Sequence, residues 1–317
     1  MFGHTWDEPE HLAAGLAFVD TGEYPYDTQH PPIARIAMAI GPYLAGARAY
    51  GTPGPSGEHE GREILYNDGR YDQYLTLARV GMLPFLVLLL VATGLWARRV
   101  YGSAAALTSI ALVMTTPTLI GHAAVAALDV PMAATTMLAL YLLLRWFDAP
   151  SMMRAVCFGL AAGMAAATKL SAIPFLGGVA AVWAAAWLVN IRAAPLSSPA
   201  RPLIYLLHAL TAAAVAIVIL IFSYGFSSAP LAGIPVPIGI PRIIEALTAL
   251  DMHNSAGHLS FFMGELRRSG WWNFYLVALS LKTPLPLLLL GIAGLCWLSF
   301  RAWHQQRWVL AAPSLAF

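Results

Sequence analysis

The fold class is decided by residues 83–97, which read LPFLVLLLVATGLWA and contain no charged side chain. Together with the four residues before it, this run forms segment 79–97, which is long enough to cross about 30 Å of hydrocarbon as a helix. Six further segments have the same character, at about 103–121, 130–147, 154–170, 172–190, 203–223 and 283–300. The sequence therefore predicts an all-α polytopic membrane protein.

The composition agrees with a membrane location. Of the 317 residues, 59% are hydrophobic and 11% are charged, whereas soluble domains are about 25% charged. The net charge of +2 is too small to indicate nucleic-acid binding. Cys157 and Cys296 both lie in apolar runs, which argues against a disulfide framework and against a thiolate metal site.

The predicted spans divide the chain into four regions. Residues 1–77 form a polar loop, 78–223 a series of transmembrane helices, 224–271 a second polar loop, and 272–317 a final span with the start of another. In the first loop, the apolar stretch Ile33–Tyr50 contains two arginines and a proline. We therefore predict an interfacial, juxtamembrane helix there and not a span.

The two ends of the chain predict a fragment of a longer membrane protein. The chain begins on an acidic loop without a preceding helix, and residues 308–317 begin an apolar stretch that is too short to cross a bilayer. The polar start also lacks the basic stretch and apolar core of a cleavable signal peptide.

The distribution of charge predicts the orientation in the membrane. The short turns at Arg98-Arg99, Arg145 to Arg154, Arg192 to Arg201 and Arg301 to Arg307 hold eight basic residues and one acid. By the positive-inside rule these turns face the cytoplasm. The protein is then a multi-pass protein of the inner cell membrane, and the other fifteen acidic residues lie on its extracytoplasmic side. We expect the active site on that side.

Two adjacent carboxylates, Asp7 and Glu8, stand in the segment Trp6 to His11. Acids immediately before a helix are favoured as N-cap and first-turn residues by the helix dipole. Alternatively, one of them is a general base that takes a proton from an acceptor hydroxyl. The two interpretations are compatible.

Asp129 interrupts the apolar run 123–128 and is followed by Val130-Pro131. A charge at the boundary of a span is costly and indicates either a helix N-cap at the interface or a functional site. Because Asp129 is predicted on the same side as Asp7, both side chains could reach one cavity.

Lys169 and Lys282 are predicted near the outer boundary of the membrane. Either lysine could extend to the lipid headgroups, or its charge could bind a phosphate. Two lysines at this level suit an anionic lipid headgroup.

The second polar loop contains His253, Asn254, His258 and Glu265, followed by Trp271-Trp272. The tryptophans are typical of the aromatic belt at a membrane surface. The spacing of the two histidines and the glutamate matches no zinc signature, so we predict no metal and no other cofactor. The sequence also lacks a phosphate-binding Gly-rich loop, a His-Glu-x-x-His motif and a Gly-x-Ser-x-Gly elbow.

An ordered series of motifs resembles the dolichyl-phosphate-mannose protein mannosyltransferase superfamily, in particular its bacterial branch, the phospholipid-carrier-dependent glycosyltransferases of family thirty-nine. The motifs are Asp7-Glu8-Pro9 with His11 and Gly15, Thr21-Gly22-Glu23, His30-Pro31-Pro32, Ala78-Arg79, Trp96 to Gly102, Pro117 to His122, Asp129-Val130-Pro131, Gly159 to Lys169, His253-Asn254, Gly257-His258 and Gly270-Trp271-Trp272 through Lys282-Thr283-Pro284.

The resemblance implies a GT-C membrane bundle whose extracytoplasmic loops carry juxtamembrane helices. It implies an inverting transfer of a sugar from a polyprenyl-phosphate donor to a hydroxyl on a protein, lipid or glycan. By this similarity Asp7 is the base, Glu8 its paired neighbour and Asp129 the second acidic position. The candidate substrate-binding residues are His30, Lys169, His253, Asn254 and Lys282.

Two departures and two alternatives accompany this interpretation. Ala126-Ala127-Leu128 stands where relatives often carry small hydroxylated residues, and the family's first transmembrane helix and later spans are not in this sequence. The alternatives are a transporter or flippase of lipid-linked precursors, with Asp129 and Lys169 as coupling charges, and an inactive assembly subunit.

Overall fold

The protein is an almost entirely helical, multi-pass membrane protein. The computed structural model describes residues 3–52, 57–192, 201–225, 229–231, 234–236, 239–257 and 259–305. Within these ranges the only strands form two short hairpins. The predicted fold class, an all-α polytopic membrane protein, is confirmed.

Four helices form a compact unit at the start of the chain. They are α1 (Glu8–Thr21), α2 (Ile33–Leu44), α3 (Glu58–Tyr66) and α4 (Tyr71–Val80). Helix α1 packs against α2 and α3, and α2 also packs against α4. The apolar stretch predicted as an interfacial helix is α2, and it ends at Leu44. The core of this unit buries Leu12, Leu16, Met38, Leu65 and Tyr74.

The membrane region follows directly from α4. Its helices are α5 (Leu83–Tyr101), α6 (Ser103–Met114), α7 (Pro117–Ala123), α8 (Asp129–Asp148), α9 (Met152–Ala166), α10 (Ala172–Arg192), α11 (Arg201–Ser223) and α14 (Leu285–Gln305). In the described part of the chain, four helices are long and apolar enough to cross a membrane: Tyr71–Tyr101, Asp129–Asp148, Leu203–Ser223 and Leu285–His304.

The predicted span 103–121 is not one continuous helix. It is divided into α6 and α7, which are bent by 66°. Pro117 has no backbone N–H, and it restricts the preceding residue to extended conformations. Accordingly Thr116 is extended, with ψ at 116°. Its hydroxyl donates to the Leu112 carbonyl at 2.7 Å, which satisfies one of the carbonyls that the break leaves open.

The membrane helices pack as a bundle around α8 and α9. Helix α8 contacts α5 and α9, and α9 contacts α11. Gly159 and Gly163 lie one turn apart on the α9 face that meets α11, and a β-carbon on Gly159 would be 2.5 Å from the Ala212 carbonyl oxygen. Small residues at this spacing let two membrane helices approach closely.

The second polar loop carries short elements that lead back to the membrane. These are β1 (Ala229–Leu231), β2 (Ile234–Val236), α12 (Ile240–Ala256), β3 (Ser260–Phe262), β4 (Glu265–Arg267) and α13 (Phe274–Lys282). Each pair of strands is antiparallel. Helix α12 is joined to the first polar unit by Arg242, whose guanidinium donates to the Glu23 carboxylate at 3.3 Å.

We expect Gly159→Leu to destabilise the bundle, because the new side chain cannot fit against the α11 backbone. Overpacking a well-packed interior costs about 1–3 kcal/mol, so the thermal midpoint in detergent should fall. The matched control is Gly294→Leu on α14, since a β-carbon there meets no heavy atom within 4 Å. Equal thermal midpoints for the two variants would contradict the close α9–α11 contact.

Candidate active site

The Glu8 carboxylate is the most tightly held acidic group near the start of α1. It is 1% exposed. Arg79 donates to it from Nε at 2.8 Å and from Nη2 at 2.9 Å. The backbone N–H groups of Ala126 and Thr5 each donate to it at 2.7 Å. Glu8 therefore joins α1 to α4 and to the segment that precedes α8.

These donors decide the ionisation of Glu8. Burial by itself raises the pKa of the Glu8 carboxyl, but the hydrogen bonds from Arg79, Ala126 and Thr5 together hold the pKa below its usual value of 4.5. Hydrogen bonds to a charged carboxylate favour the charged form. Glu8 is accordingly an ionised, fully bonded carboxylate at neutral pH.

Asp7 differs from its neighbour. It occupies the N-cap position of α1, but its side chain makes no capping hydrogen bond. Its side chain is exposed, and among the described residues no donor to its carboxylate is found. The adjacent pair thus consists of one carboxylate that holds the structure together and one that faces solvent.

A second cluster forms where α8 begins. Asp129 is the first residue of α8, and its carboxylate lies 3.5 Å from Lys169 Nζ and 3.1 Å from His122 Nδ1. The structure therefore brings together two of the predicted site residues, Asp129 and Lys169. His122, on α7, was not singled out from the sequence, although it closes one of the motifs that carry the family resemblance.

A hydrogen bond connects the two acidic sites. The Ala126 N–H that binds Glu8 is three residues before Asp129, and three extended residues span at most about 11 Å. The Glu8–Ala126 hydrogen bond therefore connects the start of α1 to the segment that leads into Asp129.

A buried polar cluster lies inside the first polar unit. Its centre is the fully buried guanidinium of Arg35, which donates to the Tyr24 hydroxyl at 2.8 Å and to the Asp27 carbonyl at 2.7 Å. It also forms an ion pair with the Asp27 carboxylate and lies 3.1 Å from His11 Nδ1. Arg35 and Asp27 were not predicted as site residues; the only signal was a charge inside the apolar stretch of α2.

Both histidines next to this cluster are neutral near pH 7. Burial and the charge of Arg35 hold the pKa of His11 well below its usual value. Burial and the same arginine lower the pKa of His30 to about 4. The His11 and His30 rings meet edge to face, with centroids 6.0 Å apart. Neutral imidazoles can donate from one nitrogen and accept at the other.

Electrostatic interactions relate His30 to the other candidate residues. The charge of Lys169 contributes to the lowered pKa of both His11 and His30, and His253 contributes to that of His30. His253 and Asn254 lie in the last turns of α12, and both are exposed. Three of the predicted substrate-binding residues, His30, Lys169 and His253, are therefore close enough to interact electrostatically.

Lys282, the fifth of these residues, lines a cavity that also contains Asp129. The cavity has a volume of about 580 Å³. Asp129 and His122 contribute to its wall, and apolar side chains form much of the rest, among them Leu119, Val130, Ala133, Leu279 and Leu287. The Lys282 carbonyl accepts a hydrogen bond from Thr118 at 3.0 Å. The cavity is thus apolar, with charged groups at Asp129 and Lys282.

A metal site was not predicted from the sequence. In the part of the chain that the structure describes, no three His, Cys, Asp or Glu side chains are grouped so that they could hold a metal ion. His258, one of three residues considered for this role, lies outside the described residues. Glu265 is ion-paired with Arg267.

Comparison with known families identifies the class of protein. The sequence model of the dolichyl-phosphate-mannose-protein mannosyltransferases matches residues 26–229, which is more than half of the chain. The chain belongs to this family. No curated protein matches the chain, and no solved structure does.

Family membership confirms the resemblance seen in the sequence. The chain is a membrane glycosyltransferase of the mannosyltransferase type, and its family uses a dolichyl-phosphate-mannose donor and a protein acceptor. The matched segment contains Asp27, His30, Arg35, Asp129 and Lys169. Asp7 and Glu8 precede it, so their roles depend on the geometry around α1.

Replacing Glu8 with Gln should lower the stability of the folded protein at neutral pH by about 3 kcal/mol, because Arg79 would lose its buried counter-charge. The folded pKa of Glu8 lies below its unfolded value, so this stabilisation is complete above about pH 4.5 and is lost as the pH falls through the folded pKa. Thermal midpoints of wild type and variant, measured from pH 7 down to pH 3, should therefore converge in acid.

The control for this comparison is Glu58→Gln. Glu58 forms an i,i+4 pair with Arg62 on α3 in which the arginine side chain is 51% exposed, so its loss should have little effect. A constant difference between wild type and Glu8→Gln across the pH range would contradict the charged state assigned to Glu8.

Proposed function

We propose that the chain transfers a hexose from a polyprenyl-phosphate carrier to a hydroxyl acceptor on the extracytoplasmic face of the membrane. The observation that carries this proposal is the contrast within Asp7-Glu8. Glu8 is buried and accepts hydrogen bonds from Arg79, Thr5 and Ala126, while the Asp7 carboxylate is exposed next to it. Asp129, Lys169 and His122 form a charged cluster nearby.

Asp7 is the proposed general base. A carboxylate to which no protein group donates a hydrogen bond is able to accept a proton. It can take the proton of the acceptor hydroxyl as the hydroxyl oxygen attacks the sugar. Glu8 positions Asp7, because its ion pair with Arg79 fixes the start of α1. A single direct displacement of this kind inverts the configuration at the sugar carbon.

The polyprenyl phosphate is both the donor's anchor and the leaving group. In this proposal Lys169 and Lys282 stabilise the charge that develops on the phosphate, and Asp129 keeps Lys169 in place. The apolar wall of the 580 Å³ cavity suits the first isoprene units. The neutral imidazole of His30 and the exposed side chains of His253 and Asn254 supply hydrogen-bonding groups for the sugar.

Location and partners follow from the same reasoning. The arginine-rich turns favour a cytoplasmic position for the opposite end of the bundle, which leaves the Asp7 side extracytoplasmic. The proposed partners are the lipid-linked sugar, a hydroxyl-bearing protein or lipid acceptor, and the surrounding membrane lipids. We propose no metal and no other cofactor for this reaction.

One observation favours the alternative of a flippase for lipid-linked precursors. Helices α6 and α7 form a broken pair, and α7 residues line the cavity at Asp129. Discontinuous helices beside a binding site are typical of transporters. An assay in detergent distinguishes the two functions, because no gradient and no second compartment exist there. Only a glycosyltransferase converts the donor under these conditions.

Asp7→Asn should reduce sugar transfer by about 10²–10⁴-fold, the usual contribution of a general base. The assay uses purified protein in detergent, a radiolabelled polyprenyl-phosphate mannose donor and a serine- or threonine-containing acceptor peptide. Membrane insertion and thermal midpoint should stay at wild-type values, since Asp7 is exposed. Glu58→Gln serves as the matched acidic control, and wild-type-like transfer by Asp7→Asn would remove Asp7 from the mechanism.

Lys169→Gln should raise the KM for the donor by about 10–100-fold, because a hydrogen bond to a charged group contributes about 1.5–3 kcal/mol. The KM for the acceptor peptide should change little. Arg62→Gln, which removes an exposed positive charge on α3, is the matched control. An unchanged donor KM would mean that Lys169 does not contact the lipid phosphate.

A further inference from the structure

The hairpin formed by β3 and β4 has an apolar side chain at its tip. The strands pair Ser260 with Arg267, Phe261 with Leu266 and Phe262 with Glu265. The two connecting residues, Met263 and Gly264, both have positive φ, at 50° and 89°. Such a turn favours Asn, Asp or Gly. A methionine at its first position is therefore unusual, and its positive φ costs conformational energy.

One face of this hairpin is packed against the chain. Phe262 contacts the Trp271 and Phe274 rings, with centroids 5.2 and 5.3 Å away. Phe274 is the first residue of α13. The hairpin is therefore held against the beginning of that helix.

The other face is apolar and has no partner among the described residues. Successive strand residues point to opposite faces, so Phe261 and its cross-strand partner Leu266 lie away from Trp271. Phe261 is 67% exposed, Leu266 61% and Met263 76%. Isolated apolar residues on a surface are ordinary, but three on one small hairpin form an apolar patch of the kind that contacts a protein or a membrane.

The neighbouring helix indicates that the membrane covers this apolar face. Helix α13 is apolar, and Tyr275, Leu276 and Leu281 on it are 66–82% exposed. It leads through Thr283 and Pro284 into α14, which is long enough to cross the membrane. Nine helical residues are about 14 Å long, so the start of α13, and the hairpin on it, lie close to the membrane surface.

Charged and aromatic residues beside the apolar face suit lipid headgroups. Arg267 and Arg268 follow directly and are exposed. Arg267 is ion-paired with Glu265 on the same hairpin and lies over the Trp271 ring, whereas Arg268 has no ion pair among the described residues. Trp272 is 90% exposed, and tryptophan is enriched at the boundary between membrane and water. Guanidinium groups bind phosphates well. This order of apolar tip, arginines and tryptophan matches the order of acyl chains, phosphates and interface met on leaving a bilayer.

We propose that the β3–β4 hairpin is a membrane anchor. Phe261, Met263 and Leu266 enter the outer part of the bilayer, and Arg267 and Arg268 bind the phosphates of anionic lipids. The anchor lies a few residues beyond His253, so it holds the end of α12 near the membrane surface from which a lipid-linked donor would arrive. The anchor itself does not depend on the proposed reaction.

Depth measurements on the whole chain in lipid nanodiscs test this proposal. After Cys157→Ser and Cys296→Ser, a nitroxide label is attached through Met263→Cys, or through Phe261→Cys as a second reporter of the same face. Its collisions with oxygen and with a water-soluble nickel chelate are measured. Ser269→Cys is the matched control, because Ser269 is exposed, polar and beyond the arginines.

We expect labels at 261 and 263 to collide preferentially with oxygen, and the label at 269 with the nickel chelate. Equal access of the chelate to all three positions would overturn the proposal. Protection of 261 and 263 from both reagents would also overturn it, since that result indicates cover by a protein surface.

Lipid charge gives a second, independent measurement. Nanodiscs of phosphatidylcholine and of phosphatidylcholine with phosphatidylglycerol should differ, with the label at 263 deeper in the anionic bilayer. The pair Arg267→Gln and Arg268→Gln should abolish that difference, while Arg62→Gln on α3 should preserve it. A depth that responds equally to lipid charge with and without the two arginines would contradict their assignment to lipid phosphates.

Discussion

The burial of the Glu8 carboxylate is the constraint on which the arrangement of the site depends. A carboxylate removed from water is costly unless donors replace the water, and here the donors come from α4, from the start of the chain and from the segment before α8. Satisfying one charge therefore fixes three parts of the chain relative to one another. The same arrangement leaves Asp7 at the surface, so the structural role of one acid and the chemical role proposed for the other have a common origin.

The buried guanidinium of Arg35 imposes a second constraint. Its charge is compensated by Asp27 and by the Tyr24 hydroxyl. Burial, together with the charge of Arg35, lowers the pKa of His11 and His30 and keeps both neutral. Because Asp27 compensates the buried Arg35 guanidinium, an anionic ligand would meet the partly exposed Lys169 and not Arg35. In this family the donor carries a phosphate, which agrees with the role proposed for Lys169.

Much of the architecture could be predicted from the sequence, since crossing a bilayer requires long apolar runs and the chain shows them. The break at Pro117 was missed because mean hydropathy is insensitive to a single missing N–H; Pro117 itself was the available signal. The structure pairs Asp129 with Lys169, a contact that was not predicted from the sequence. His122, Asp27 and Arg35 were missed as site residues, because nothing in their local sequence distinguishes a clustered charge from an isolated one.

The sequence by itself determined that the chain is a helical membrane protein and that its acids and basic turns separate along the chain. Both properties are sums over local composition, which tertiary contacts do not alter. Only the tertiary structure decided which carboxylate of Asp7-Glu8 is free. The donors that occupy Glu8 include Arg79 and Ala126, 71 and 118 residues away. Burial and hydrogen bonding depend on such distant neighbours, so two adjacent acids that look equivalent in the sequence have different environments in the fold.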